Sequence, residues 1–164
     1  MISKPINKII SGGQTGVDRA ALDVAIDLSI PHGGWCPAGR RAEDGPIYPI
    51  YQLQETSSRN YAQRTEKNVL DSCGTLILYH KKISGGTALT KRLARLHTKP
   101  YLCIDLAPSL FNAEQLFMTL LNWVKKHQIE ALNIAGPRAS TQPGIYSLSY
   151  SFLSEALSQR SDIY

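Results

Sequence analysis

Three times along this chain an apolar run ends in a glycine-bearing turn that opens directly onto a helical pattern, and that recurrence limits the fold more than any other feature. Residues 8–11 lead into Gly12-Gly13-Gln14-Thr15-Gly16, residues 75–79 precede Ser84-Gly85-Gly86-Thr87, and residues 131–135 run into a Gly- and Pro-rich stretch over 136–144. Apolar strands alternating with helices imply an α/β fold with a mostly parallel central sheet and helices on both faces. A chain of 164 residues accommodates one such unit. The expectation is a single Rossmann-like, ligand-binding domain over residues 1–164 with about five strands.

The periodicity supplies the elements. Val17, Ala21, Val24, Ala25 and Leu28 recur at helical spacing after the first turn. Residues 30–35 read as a second strand, short or at an edge because of Pro31 and its glycines. Residues 36–54 form a connection longer than usual, and such segments are commonly functional. Residues 58–71 read as a helix with Tyr61, Thr65 and Val69 along one side. After the second turn, Leu89, Leu93 and Leu96 mark a buried stripe, with Lys91, Arg92 and Arg95 opposite. Pro100 leads into a strand at 101–104. Asn112 caps the next helix with Gln115 as reciprocal partner, Leu116, Leu120 and Val124 face the core, and Lys125, Lys126 and His127 complement the dipole. Ile145, Leu148, Phe152 and Ala156 align in the closing helix.

Composition narrows the function classes. An apolar fraction of 43% with 19% charged residues is that of a folded globular chain. Eighteen basic against thirteen acidic residues give +5, which favours anionic partners without the dense basic stripe of a dedicated nucleic-acid binder. Cys36, Cys73 and Cys103 are odd in number and too far apart for a zinc pattern, so a reducing cytoplasm fits and no metal site is expected. Residues 1–10 lack an apolar signal core, and no run nears the roughly 20 apolar residues of a membrane span.

In open parallel sheets ligands lie beyond the carboxyl ends of the strands, so the three turns would wall one crevice. Glycine lets the backbone approach an anion, and the following helix presents unpaired N–H groups. A phosphate-bearing small molecule is the expected ligand. The first turn lacks the Gly-Lys-Ser/Thr ending of a P-loop and the spacing of the dinucleotide fingerprint, which argues against a standard NTPase or dehydrogenase.

The candidate ligand-binding residues are Gly12, Gly13, Gln14, Thr15, Gly16, Asp18 and Arg19 around the first turn. Arg40, Arg41, Glu43 and Asp44 join them from the long segment, and Arg64 and Asn68, one helical turn apart, from the helix after it. Gly85, Gly86 and Thr87 come from the second turn, and Gly136, Arg138 and Ser140 from the third. Each has a plainer reading beside it. A glycine turn also makes a tight connection, Asp18 suits the start of a helix for its dipole alone, and Thr87 is an ordinary N-cap. Arg40 and Arg41 would equally pair with Glu43 and Asp44, while Arg64, Asn68 and Arg138 would equally be solvated. The four histidines show no catalytic or metal spacing, and Cys36 reads as an inert, partly buried thiol. No catalytic residue is assigned.

Five strings carry a resemblance: SGGQTGVDRAALD at 11–23, GGWCPAGRRAEDG at 33–45, RTEKNV at 64–69, SGGT at 84–87 and AGPRAS at 135–140. Together they resemble the molybdenum carrier family, a branch of the LOG/DprA-like (SLOG) Rossmannoid superfamily, over about residues 9–146. The resemblance implies a Rossmann-like fold, frequent homo-oligomers, and binding of the molybdenum cofactor, a pterin with a terminal phosphate and a dithiolene-held metal, for delivery to molybdoenzymes. By position, residues 12–16 and 85–87 would face phosphate or pterin, with Arg19, Arg40, Arg41 and Arg138 supplying positive charge.

Related LOG-type enzymes, which cleave nucleoside monophosphates, carry a Glu soon after this glycine turn. Here Thr87, Ala88, Leu89, Thr90 and Lys91 follow Gly86, so that carboxylate is missing. A nucleotide-binding enzyme using Glu43, Asp44 or Asp18 instead is the alternative. A single-strand nucleic-acid binder using Lys91, Arg92 and Arg95 is a third reading.

Overall fold

The computed structural model describes residues 6–107 and 112–158. Residues 1–5, part of the stretch read above as lacking a signal core, lie outside the described residues, as do 108–111 and 159–164. Along the chain run β1 (Lys8–Ile10), α1 (Val17–Asp27), β2 (His32–Gly33), β3 (Trp35–Cys36), β4 (Arg41–Ala42), β5 (Gly45–Pro46) and β6 (Gln54–Glu55). Then follow α2 (Tyr61–Asp71), β7 (Gly74–Tyr79), α3 (Gly85–Leu96), β8 (Tyr101–Asp105), α4 (Ala113–His127), β9 (Ala131–Ala135) and α5 (Ile145–Ser158). Among the described residues no helix is long and apolar enough to cross a membrane.

Five strands form one parallel sheet in the order β2-β1-β9-β7-β8, as the βα alternation predicts for a Rossmann-like domain. The chain moves outward from β1 to β2 and outward the other way from β7 to β8, and β9 closes the gap between the halves. Residues 30–35 do not make one strand. His32–Gly33 is the sheet edge, and after Gly34, held at φ +131°, Trp35–Cys36 leaves to pair with β6.

The two faces of the sheet differ in chemistry. Ile9, Leu76, Leu78, Ile104, Leu132 and Ile134 join α1, α4 and α5 in one apolar cluster. The intervening positions look the other way; they include Ile10 and Ile77 and, at the middle of the sheet, Thr75 and Asn133, both buried and hydrogen-bonded to each other at 3.2 Å. This face is covered by α2 and α3, which pack on one another. Their buried residues are small or polar: Asn68 and Val69 on α2, and Thr87, Thr90 and Ala94 on α3.

The leucine stripe expected on α3 is therefore corrected. Leu89 and Leu93 are only half-buried, and Leu96 is 73% exposed. The helix is rotated so that Thr87, Thr90 and Ala94, rather than its leucines, are buried. On the apolar side the expectations hold: Leu120, Val124, Ile145, Phe152 and Ala156 are buried. Asn112 caps α4 by accepting a hydrogen bond from the Gln115 backbone N–H at 3.2 Å.

The long segment 36–54 is ordered by its own small core of Cys36, Ala42, Ile47, Tyr51 and Leu53, seated on Leu22 of α1. Arg40, at φ +51°, donates to the carbonyls of Ile47, Leu53, Tyr48 and Tyr51 at 2.8–3.1 Å and so ties the segment to itself. The hydroxyls of Tyr51 and Tyr146 both donate to Asp23 at 2.6 Å, which fastens the segment and α5 to α1.

Candidate functional site

Because β1, β9 and β7 are adjacent, the three glycine-bearing connections that follow them emerge side by side. Gly16, at φ +80°, brings the first connection against the third: a Cβ there would lie 2.3 Å from the Pro137 carbonyl oxygen, which itself accepts the Val17 N–H at 3.2 Å. Between these connections and the α2–α3 pair lies a cleft of about 300 Å³. That volume is at the lower end of small-molecule sites, which run from roughly 300 to 1,000 Å³.

Ten of the nineteen candidate residues line this cleft: Gly12, Gln14, Asp18, Arg64, Asn68, Gly85, Gly86, Thr87, Gly136 and Arg138. The open end of α3 is its clearest anion-binding feature. Ser84 occupies the N-cap position without a side-chain capping bond, and the place a Cβ would take at Gly85 or Gly86 has nothing within 4 Å among the described residues. This end of a twelve-residue helix is thus unobstructed, with the Arg138 side chain, 48% exposed, on the same rim.

Opposite this end sits a buried ion pair. Asp18, on the first turn of α1, accepts Arg64 Nη1 from α2 at 2.9 Å and the Gln14 N–H at 3.3 Å. Burial pushes the Asp18 carboxyl above its usual value, and the Arg64 guanidinium works against that rise. Gly12 makes the pair possible, since a Cβ there would fall 1.4 Å from Arg64 Nη1. Arg64 Nε is buried without a hydrogen-bond partner among the described residues. Arg64 and Arg41 lie 5.6 and 5.5 Å from the Tyr61 ring centroid. This carries exposed Arg41 to the mouth of the cleft, although its own side chain is not part of the lining.

The remaining candidates are placed outside the lining, in contacts within the protein. The Glu43 carboxylate accepts from the hydroxyls of Thr15 and Ser140 and from the Ser140 N–H at 3.1 Å, and stands 4.0 Å from Arg138 Nε. Burial pushes Glu43 up, but hydrogen bonds from Ser140 and Thr15 with the charge of Arg138 outweigh it and hold the carboxyl below its usual value. Gln14 Oε1 accepts the N–H groups of Thr15 and Glu43 at 3.0 and 2.9 Å. Arg19 is paired with Asp44 at 3.0 Å and donates to the Gly13 carbonyl. Gly13, at φ +77°, backs onto Ile47 and Leu53, and Arg40 serves the long segment as described. Asn68 lines the cleft while bridging both peptide groups of Trp35 at 2.7 and 3.0 Å.

Several lining residues escaped the reading of the sequence. In the sequence Tyr61 and Thr65 mark only one side of a helix, and Thr90 and Thr141 carry no local signal at all. Asn133 had one: an amide in the middle of the apolar run Ala-Leu-Asn-Ile-Ala marks a strand whose second face is not ordinary core. Among the described residues no three His, Cys, Asp or Glu side chains converge as a metal site.

Comparison with known proteins places the chain. Residues 9–157 match the model of the circularly permutated YpsA SLOG family. A crystal structure from Syntrophus aciditrophicus SB, described as "Putative molybdenum carrier protein", is 52% identical with a TM-score of 0.89, covering 94% of this chain and 96% of that one. No curated protein matches.

Proposed function

Because this chain belongs to the circularly permutated YpsA SLOG family, we propose that it is a carrier that holds the molybdenum cofactor, a phosphate-bearing pterin, in the cleft between its glycine turns and the α2–α3 pair. The observation that carries the reading is the uncapped, unobstructed N-terminus of α3 facing that cleft. A terminal phosphate suits this end, where helix N–H groups and Arg138 meet. The name given to the protein from Syntrophus aciditrophicus SB points to molybdenum as cargo. The metal would travel on the ligand's own dithiolene, so the protein need only bind the organic part and shield it. Handing the cargo on to molybdoenzymes in the cytoplasm is the role we assign. We expect a homo-oligomer, for which Leu70 and Leu96 offer exposed apolar surface on α2 and α3.

The rival is a nucleotide-cleaving enzyme of the LOG type, and one observation favours it: Asp18 is a buried cleft carboxylate with a raised pKa, a common attribute of catalytic acids. Its oxygen is already committed to Arg64 and Gln14, and where the LOG-type Glu would fall α3 brings Thr87 and Thr90 to the cleft. Glu43 and Asp44 are bound to the first and third turns and to Arg19. The carrier reading therefore stands first.

Native mass spectrometry of anaerobically purified protein, with elemental analysis of the released ligand, tests both. Molybdopterin with molybdenum near one equivalent per chain is the expected result, and the same spectra give the subunit number. A nucleotide without molybdenum, with free base released from a nucleoside monophosphate panel, would overturn the carrier in favour of the enzyme.

A further inference from the structure

Asn133 is an anomaly that the anion site does not account for. It sits at the middle of β9, the central strand of the sheet, level with Ile10 on β1 and Thr75 on β7. Its neighbours Leu132 and Ile134 enter the apolar cluster, whereas Asn133 is turned to the α2–α3 side, is only 2% exposed, and lines the floor of the cleft. Asparagine is disfavoured in strands, and a buried amide is costly unless its donors and acceptor are used. One use is visible: Nδ2 donates to Thr75 Oγ1 at 3.2 Å. Among the described residues the side chain makes no other hydrogen bond, which leaves one N–H and the carbonyl oxygen for whatever enters the cleft.

The position sets a geometry. Asn133 precedes Gly136 by three residues, about 10 Å of strand. A ligand with its anion at the glycine turns and the N-terminus of α3 would bring a group one short spacer away down to this amide.

We infer that Asn133 is the specificity-determining residue of the cleft, its free N–H and carbonyl oxygen pairing with an adjacent acceptor and donor on the edge of a planar nitrogen heterocycle joined to the phosphate. The lactam edge of a 2-amino-4-oxopterin has this pattern, and guanine shares it. A sugar phosphate has no such edge. The inference rests on the proposed anion site and adds what the site reads beyond the charge.

The test compares four probes by calorimetry on the full chain: inorganic phosphate, ribose 5-phosphate, guanosine monophosphate and 6-hydroxymethylpterin phosphate. The wild type should bind the pterin phosphate at least about tenfold more tightly than ribose 5-phosphate, the size of preference that a satisfied hydrogen-bonding edge confers. In Asn133→Leu the ratio should fall to near one, with the affinity for ribose 5-phosphate unchanged. Asn133→Thr, a β-branched residue suited to a strand, should give the same loss and stands in if the leucine variant does not fold. A preference for the heterocycle retained in the folded variant overturns the inference and leaves the anion site intact. Failure of every probe to bind the wild type overturns both.

Discussion

Asp18 and Arg64 meet at 2.9 Å across 46 positions of sequence, and the contact closes the first turn of α1 against the N-terminal half of α2. Both side chains are largely buried, at 5% and 13% exposure. Removing one charge leaves the other stranded, so Asp18→Asn and Arg64→Leu should each cost about 3 kcal/mol in urea unfolding. The double variant should cost clearly less than the two together, and strict additivity would show that the pair is not coupled.

Gly12→Ala should displace the Arg64 guanidinium, because the new Cβ would stand 1.4 Å from Nη1. A loss of about 1–3 kcal/mol is expected, as for other overpacked sites. In an Arg64→Ala background the cost should fall, the remaining close approach being to Asp18 Oδ2 at 2.9 Å. An equal cost in both backgrounds would locate the strain elsewhere than at Arg64.

Gly86→Asp should separate binding from folding. Space is open where its side chain would begin, and an acid in the first turn of a helix is stabilising by about 0.3–1 kcal/mol. Melting should be unchanged or slightly higher, while phosphate binding followed by calorimetry falls at least about tenfold through charge repulsion. Unaltered phosphate affinity would move the anion away from α3.

Glu43 gives a pH signature. Its folded carboxyl titrates below the ordinary value, so the stability it confers is fully present above the unfolded pKa and is lost as pH falls through the folded one. Glu43→Gln removes this dependence, and its melting temperature should fall less than that of the wild type between pH 5 and pH 3. The difference should be about 3 °C or less, because the group is near solvent. Identical acid limbs would mean that the clamp onto Thr15 and Ser140 contributes nothing in solution.

The framework of the fold was legible because local periodicity and central-sheet geometry agree. Ala131–Ala135 is read directly from its apolar run, and α1, α4 and α5 bury the residues that their spacing selects, all of them facing the apolar side of the sheet. Reading failed on the side covered by α2 and α3, where the sheet carries the buried polar pair Thr75 and Asn133. The leucines of α3 look like a core stripe, yet the helix buries Thr87, Thr90 and Ala94 instead. The first and third glycine turns announced the cleft, since a Cβ at Gly12, Gly16 or Gly136 would collide with the atoms that approach there. The pairings of Arg19 with Asp44, Arg40 with four carbonyls, and Glu43 with Thr15 and Ser140 depend on where a long irregular segment crosses the sheet edge, and no short-range pattern encodes that.

The insertion of β9 between β1 and β7 also sets an order of events during synthesis. When the ribosome has released the first hundred or so residues, it has delivered two separate β-α-β units, β1 with β2 and β7 with β8, each missing the same neighbour. Pairing of Lys8 with Ala131 cannot occur until the last strand emerges. Only then do the halves join in one sheet, and with them the three turns. A nascent chain therefore has no finished cleft, and any ligand must wait for the last strand.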